Sequence, residues 1–119
     1  MNSNHNFNPK DFIKISVELE NGNTEAHYRS VINRSYYGAF GYIKKKLGSA
    51  NFSFSVHQEI INTLLNSVSI NQKKAGKRLE TLFKNRKDAD YNHFKEIKKF
   101  NCDYCVREAE EIIRLFDLK

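Results

Sequence analysis

The chain has 119 residues, 39% of them hydrophobic, and a formal net charge of +6. This length suits one hydrophobic core and is too short for two, and the apolar content argues against wholesale disorder. No run approaches the roughly 18 apolar residues of a membrane span, and residues 1–6 lack the basic and apolar regions of a signal peptide. We therefore expect one cytoplasmic domain over residues 1–119, with residues 1–8 flexible.

Two long helices are predicted in the first half of the chain. The first begins at Pro9 with Asn8 as its N-cap, and its apolar side chains recur at helical spacing: Phe12, Ile15 and Leu19. The second begins after Thr24, and Gly48 ends it. Its apolar stripe follows a period of about 3.6 residues: Tyr28, Ile32, Tyr36, Phe40, Ile43 and Leu47.

Three further helices are predicted in the second half. After a loop over residues 51–54, the capping box of Ser55 and Gln58 starts a third helix. A fourth helix runs from about residue 71 to 88, and the poor helix formers after residue 88 do not define its last residue. A fifth helix covers about residues 101–118. The side chains expected to face inward on the last two are Ala75, Leu79, Leu82 and Phe83, then Cys105, Val106, Ala109, Ile112, Ile113 and Phe116. The pattern predicts an all-α, up-and-down bundle of about five helices.

Small residues recur every third position in the second helix, at Ser35, Gly38 and Gly41. Each glycine costs a helix centre about 1 kcal/mol relative to alanine, so close packing or a docked partner should offset the loss. Cys102 and Cys105 form one Cys-x-x-Cys pair, which supplies only two of the four ligands of a structural zinc site. We interpret them as buried thiols and expect neither a metal nor another cofactor.

Residues 71–87 carry the whole excess charge of the chain, because seven cations there are opposed only by Glu80. The seven are Lys73, Lys74, Lys77, Arg78, Lys84, Arg86 and Lys87. A basic stripe of this kind indicates a polyanion partner, of which RNA is the simplest. A solvated lysine-rich helix face is the alternative.

Arg86 stands seven residues ahead of His93, a permanent cation before a proton carrier. If the chain were helical throughout, seven steps of about 100° would bring both to one face, about 10 Å apart along the axis. Such a pair can cleave a phosphodiester without a metal, or can arise by chance in a charged helix. Tyr91 between them can stack on a base or simply pack at the helix end.

Arg34 is a cation in the middle of the second helix and would need a carboxylate partner if buried. Asp88 and Asp90 are the candidates. Asp90 is expected to pair with Arg34 or Arg86, with no catalytic role of its own. His57 is expected to be a packing or interface residue.

Several of these residues together resemble the HEPN domain superfamily over residues 10–118. The resemblance begins with a group of residues in the second helix, Arg34, Tyr36, Tyr37 and Phe40, and continues with His57 at the opening of the next helix. A second group follows later in the chain, Arg86, Ala89, Asp90 and Tyr91, and the last helix contributes Ala109. It implies a helical bundle that pairs as a homodimer. Active members are metal-independent endoribonucleases with an Arg-x(4–6)-His motif at the dimer interface, and Arg86 and His93 enclose six residues.

The resemblance also implies roles and partners. His93 would take the proton of a ribose 2′-hydroxyl, its dimer mate would protonate the leaving oxygen, and Arg86 would stabilise the phosphorane. Many members are toxins or antiviral effectors, so an antitoxin or nucleotidyltransferase-type partner is expected beside RNA. Two alternatives stay open: a non-catalytic nucleotide- or RNA-binding member, and a protein–protein adaptor that docks through the Gly38/Gly41 face and the last helix.

Overall fold

A computed structural model describes residues 7–48 and 56–118, and this part of the chain contains five helices and no strand. The helices are α1 (Lys10–Leu19), α2 (Glu25–Leu47), α3 (Val56–Leu65), α4 (Ile70–Tyr91) and α5 (Lys99–Leu118). The all-α prediction is confirmed. The expected flexibility of residues 1–6, the loop at residues 51–54 and the cap at Ser55 lie outside the described residues.

The helix α2 occupies the centre of the bundle and packs against α1, α4 and α5, whereas α3 packs chiefly on α4. Its apolar stripe behaves as predicted, because Ile32, Tyr36, Phe40 and Ile43 are all buried. The helix starts at its N-cap Thr24, whose hydroxyl accepts the N–H of His27 at 3.2 Å. It ends at Gly48, which lies in the left-handed region with φ 65°. The longest predicted element is thus correct at both ends.

Close contact between α1 and α2 accounts for the glycines. A Cβ at Gly38 would lie 2.5 Å from Ile13 Cγ1, and a Cβ at Gly41 would lie 2.9 Å from Pro9 Cβ. Gly38 and Gly41 are therefore covered by Ile13 and Pro9, so the part of the adaptor hypothesis that docks a partner on this face is wrong, while docking through the last helix stays a prediction.

The apolar side chains that recur at helical spacing along α1 are not the ones that this contact buries. The buried side chains of α1 are Ile13 and Ser16, while Phe12 and Ile15 are 36% and 41% exposed. Ser16 is accommodated in the core because its hydroxyl donates to the carbonyl oxygen of Phe12 at 3.0 Å and lies 3.3 Å from that of Val31. A buried hydroxyl with such partners avoids the cost of an unsatisfied polar group.

The end of α4 differs from the expectation, because the helix continues past Asp88 to Tyr91. Ala89 is buried in the last turn, and Arg29 of α2 binds the carbonyl oxygens of Asp88 and Ala89. Tertiary contacts thus override the weak helix propensity of this segment. No described helix is both long and apolar enough to cross a membrane.

Candidate functional site

Arg86 lies inside the bundle at the interface of α2 and α4. Its Nη2 donates a hydrogen bond to the Tyr37 hydroxyl at 2.8 Å, its Nε lies 2.9 Å from Asp90 Oδ2, and its side chain is 13% exposed. The guanidinium carbon is 5.1 Å from the centre of the Tyr37 ring and 5.5 Å from that of Tyr91. Two tyrosine rings and one carboxylate therefore hold this cation.

Asp90 pairs with Arg86, as one of the two predictions for it stated. The N–H of Arg86 Nε does not point along the line to the carboxylate, so the contact is an ion pair and not an aligned hydrogen bond. Asn33 Nδ2 donates to the same carboxylate oxygen at 2.9 Å. The hydrogen bonds of Arg86 to Tyr37 and of Asn33 to Asp90 thus tie the end of α4 to α2.

His57 belongs to the same cluster of side chains as Tyr37 and Arg86. Its Nδ1 lies 2.7 Å from the hydroxyl of the fully buried Tyr36, and its ring stacks between Phe40 at 4.3 Å and Phe83 at 5.1 Å. Burial, then the charges of Arg86 and Lys44, lower the pKa of His57, and burial raises the pKa of Tyr36. Within the described protomer, His57 is therefore a packing residue.

His93 lies in the loop that follows α4, because the helix ends at Tyr91. The condition for Arg86 and His93 to share a helix face is therefore not met. The exposed imidazole instead lies over the helix end, with Nε2 3.3 Å from the backbone oxygen of Asp90. Asp90 is thus in contact with both residues.

Arg29 fixes the loop that carries His93. Arg29 was not among the residues predicted to matter for the site. Its Nη1 donates to the oxygens of Asp88, Ala89 and Asn92 at 3.0 to 3.2 Å, and its Nη2 donates to Lys95.

Glu25 completes this attachment of the loop to α2. Its Oε2 accepts from the N–H of Ile97 at 3.1 Å and from Arg29 Nη2 at 2.7 Å. Both hydrogen bonds stabilise the carboxylate and lower the pKa of Glu25. The spacing of four residues between Glu25 and Arg29 was the available signal for an ion pair.

The predicted RNA-binding side chains lie on the outer side of α4. At about 100° per residue, one face carries Lys73, Lys77, Lys84, Lys87 and Tyr91, and all of them are exposed. Lys74 and Arg78 are exposed on the adjacent face, where Arg78 pairs with Glu108 at 2.6 Å.

Arg86 does not belong to this basic row. It shares the buried side of α4 with Leu79 and Leu82, turned away from Lys77 and Lys84. Arg86, one of the seven cations of residues 71–87, is therefore not part of the exposed stripe, because successive side chains of a helix point in different directions.

Arg34 is half-buried and lies in a shallow pocket with Leu19, Ala26 and Ser30. Both carboxylates proposed for it are engaged elsewhere, since Asp90 contacts Arg86 and Asp88 pairs with Lys95 at 3.0 Å. The alternative partner for Asp90, Arg34, is thus excluded.

Cys102 and Cys105 are free and fully buried, as predicted. Burial raises the pKa of the Cys102 thiol to about 11 and that of Cys105 to about 12. Within residues 7–48 and 56–118, no group of three or more His, Cys, Asp or Glu side chains is placed to hold a metal ion.

The family model of the HEPN domain matches residues 9–119, nearly the whole chain. The protein belongs to the HEPN domain family, which in general terms comprises ribonucleases and nucleotide-binding modules. No curated protein and no solved structure matches the chain.

Proposed function

We propose that this protein binds RNA through the outer face of α4. The observation that carries the proposal is the row Lys73, Lys77, Lys84 and Lys87, which spans about 21 Å of exposed helix. Glu80 is the one carboxylate within this row. Phosphate contacts from such a row supply affinity that is independent of base sequence.

Salt and matched variants test this binding. The apparent affinity for a fluorescent RNA should fall by roughly tenfold to a thousandfold over a fourfold rise in salt, if several phosphates are contacted. Lys84→Ala and Lys87→Ala should each weaken binding and flatten the salt dependence, whereas Lys14→Ala on α1 should leave both unchanged. Binding that is insensitive to salt and to Lys84 would refute the proposal.

Metal-independent cleavage of the bound RNA is the second proposed function. It is favoured by Asp90, whose carboxylate contacts Arg86 and whose backbone oxygen contacts His93. The carbonyl oxygen of Asp90 can only accept, so it holds a proton on His93 Nε2 and leaves Nδ1 to take the proton of the 2′-hydroxyl. Arg86 would stabilise the negative charge of the phosphorane after exchanging Asp90 for phosphate.

The catalytic roles rest on a dimer in which the second His93 protonates the leaving 5′-oxygen. The products would then end in a 2′,3′-cyclic phosphate and a 5′-hydroxyl. Incubation of total RNA with protein in EDTA should give these ends, and His93→Ala should abolish them. Cleavage that persists in His93→Ala, or that disappears in EDTA, would overturn this role and leave the binding function standing.

A cleaving enzyme of this kind fits a toxin or antiviral effector, controlled by an antitoxin or a nucleotidyltransferase-type partner. Expression of the wild-type chain in a host should then arrest growth, and His93→Ala should restore it. Equal growth with both proteins would argue for the non-catalytic RNA-binding alternative. That alternative is favoured by the contacts of Arg86 with Tyr37 and Asp90, which already occupy its guanidinium group.

A further inference from the structure

Four aromatic side chains are exposed around the C-terminal half of α4 and the start of α5. The exposed fraction is 102% for Phe94, 69% for Tyr91, 67% for Phe100 and 45% for Tyr104. Isolated exposed apolar residues are ordinary on protein surfaces, but four aromatic rings in one region are not. The sequence pointed only to Tyr91, because this residue stands between Arg86 and His93.

The loop that presents Phe94 is fixed to the bundle on both sides of this residue. Arg29 binds the carbonyl oxygens of Asn92 and Lys95, Glu25 binds the N–H of Ile97, and the Ile97 side chain is 4% exposed. The backbone around Phe94 is therefore ordered before any ligand arrives. A ligand that contacts the ring then avoids much of the entropy cost of ordering a loop.

Three of the rings adjoin the basic row of α4, and Phe94 follows Tyr91 by three residues in the loop after the helix. Tyr91 lies on the same helix face as Lys84 and Lys87. Tyr104 lines a groove together with Lys77, Arg78 and Thr81. Phe100 precedes Tyr104 by one turn of α5 and shares its face.

The proposed RNA-binding function supplies the basis for a narrower assignment. We infer that this surface, made of Tyr91, Phe94, Phe100, Tyr104 and the lysine row, binds single-stranded RNA by stacking bases on the rings while the lysines contact phosphates. Bases of a duplex are stacked on each other and offer no free face to a ring, whereas unpaired bases do. Arg86 lies behind the Tyr91 ring at 5.5 Å, so a base on the outer side of that ring would extend an existing stack.

Charge argues against a second copy of this chain as the occupant. In a twofold contact centred on the lysine row, the row of one protomer would face the row of the other, and like charges at close range are destabilising. A dimer that brings two copies of His93 together would therefore have to leave the lysine row uncovered. A single strand of RNA provides both the aromatic faces and the negative charge that the surface lacks.

Fluorescence anisotropy with an unpaired 12-nucleotide RNA and a duplex of the same sequence tests the inference. Phe94→Ser should weaken binding of the single strand by about fivefold to a hundredfold, the range found for loss of one stacked base, and should leave duplex binding nearly unchanged. Val68→Ser is the matched control, because Val68 is 99% exposed and precedes α4, at the opposite end of this helix from Phe94. It should change neither affinity.

A second variant reports stacking directly. The chain has no tryptophan, so Phe94→Trp provides a lone reporter whose fluorescence the unpaired RNA should quench, with affinity retained. Unaltered single-strand binding by Phe94→Ser, or no quenching in Phe94→Trp while RNA is bound, overturns the inference alone. Failure of the wild-type protein to bind either RNA refutes the proposed function as well. Loss of self-association in Phe94→Ser with RNA binding intact would assign the surface to a second copy instead.

Discussion

Arg86 and His93 contact two different groups of Asp90, near the end of α4. Arg86 Nε lies 2.9 Å from the Asp90 carboxylate, and His93 Nε2 lies 3.3 Å from the Asp90 carbonyl oxygen. The two side chains differ sharply in their surroundings, because Arg86 is enclosed by two tyrosine rings whereas His93 is exposed. Substitutions at the two positions should therefore have different consequences for the fold.

Arg86→Ala should lower the free energy of unfolding by about 2–3 kcal/mol, because it leaves Asp90 and the Tyr37 hydroxyl without their cationic partner in a half-buried site. His93→Ala should change it by less than about 0.5 kcal/mol, as expected for an exposed side chain. Urea denaturation of both variants measures the difference. Equal stabilities would mean that the Arg86 contacts contribute nothing to the fold. His93 is accordingly the cleaner position at which to test catalysis.

Arg29→Ala should release the loop between α4 and α5. The variant loses charge-assisted hydrogen bonds to the carbonyl oxygens of Asp88, Ala89, Asn92 and Lys95. This loss should destabilise the protein by about 2 kcal/mol or more. Amide hydrogen exchange should accelerate locally at residues 92–98, with the N–H of Ile97 as the most sensitive probe.

Arg107→Ala is the control for that experiment. The Arg107 side chain is 70% exposed and lies 3.9 Å from Glu20. Removal of such an exposed ion pair should alter stability by less than about 0.5 kcal/mol and leave the loop protected. If both arginine variants behave alike, the hydrogen bonds of Arg29 do not hold the loop.

Gly38→Ala should place a methyl group 2.5 Å from Ile13 Cγ1, well inside van der Waals contact. The overlap should destabilise the protein by about 1–3 kcal/mol. Replacing Ile13 by alanine creates a cavity of its own, but it should also make room for that methyl group. The double variant should then be more stable than the sum of the two single effects predicts. Additive effects in thermal or urea unfolding would contradict the close packing of α1 on α2.

The pH dependence of stability should carry a contribution from His57. Its pKa in the folded protein lies below the ordinary value of 6.5, so the unfolded chain binds more protons in the interval between the two pKa values. Stability is therefore complete above about pH 6.5 and decreases as the pH falls through that interval. Urea titrations at pH 7.5 and 5.5 should show a smaller decrease in His57→Gln than in the wild type. An identical pH dependence in both proteins would show that His57 does not titrate differently on folding.

The thiols of Cys102 and Cys105 should resist modification in the folded protein. Burial raises the pKa of the Cys102 thiol to about 11. Only about one thiol in a thousand would therefore be ionised at pH 8, even if reagent could enter. Reaction with a chromogenic disulfide reagent should be slow in buffer and should quantitatively follow unfolding in urea. Rapid reaction of either thiol without denaturant would disprove the burial.

Local sequence patterns were sufficient for the helices themselves. The stripe from Tyr28 to Leu47 follows the period of one buried helix face, and Thr24 and Gly48 carry the chemistry of an N-cap and a left-handed C-cap. These signals act within a few residues, so they predict a helix before any partner is known. The buried cysteines and the exposed lysines of α4 follow from the same periodicity.

Only the tertiary structure decided which polar groups meet. Asp90 pairs with Arg86 and not with Arg34, and His57 packs beside Tyr36. Arg29 binds the last turn of α4, which ends at Tyr91, so His93 lies in the following loop. The contacts of His57 and Arg29 join segments that are distant along the chain, whereas Arg86 and Asp90 are one turn apart in α4 and bind Tyr37 and Asn33 of α2. The contacts between helices depend on crossing angles set by close packing such as that of Gly38 on Ile13. Residue spacing records direction around one helix axis, whereas the site depends on how several axes are arranged in space.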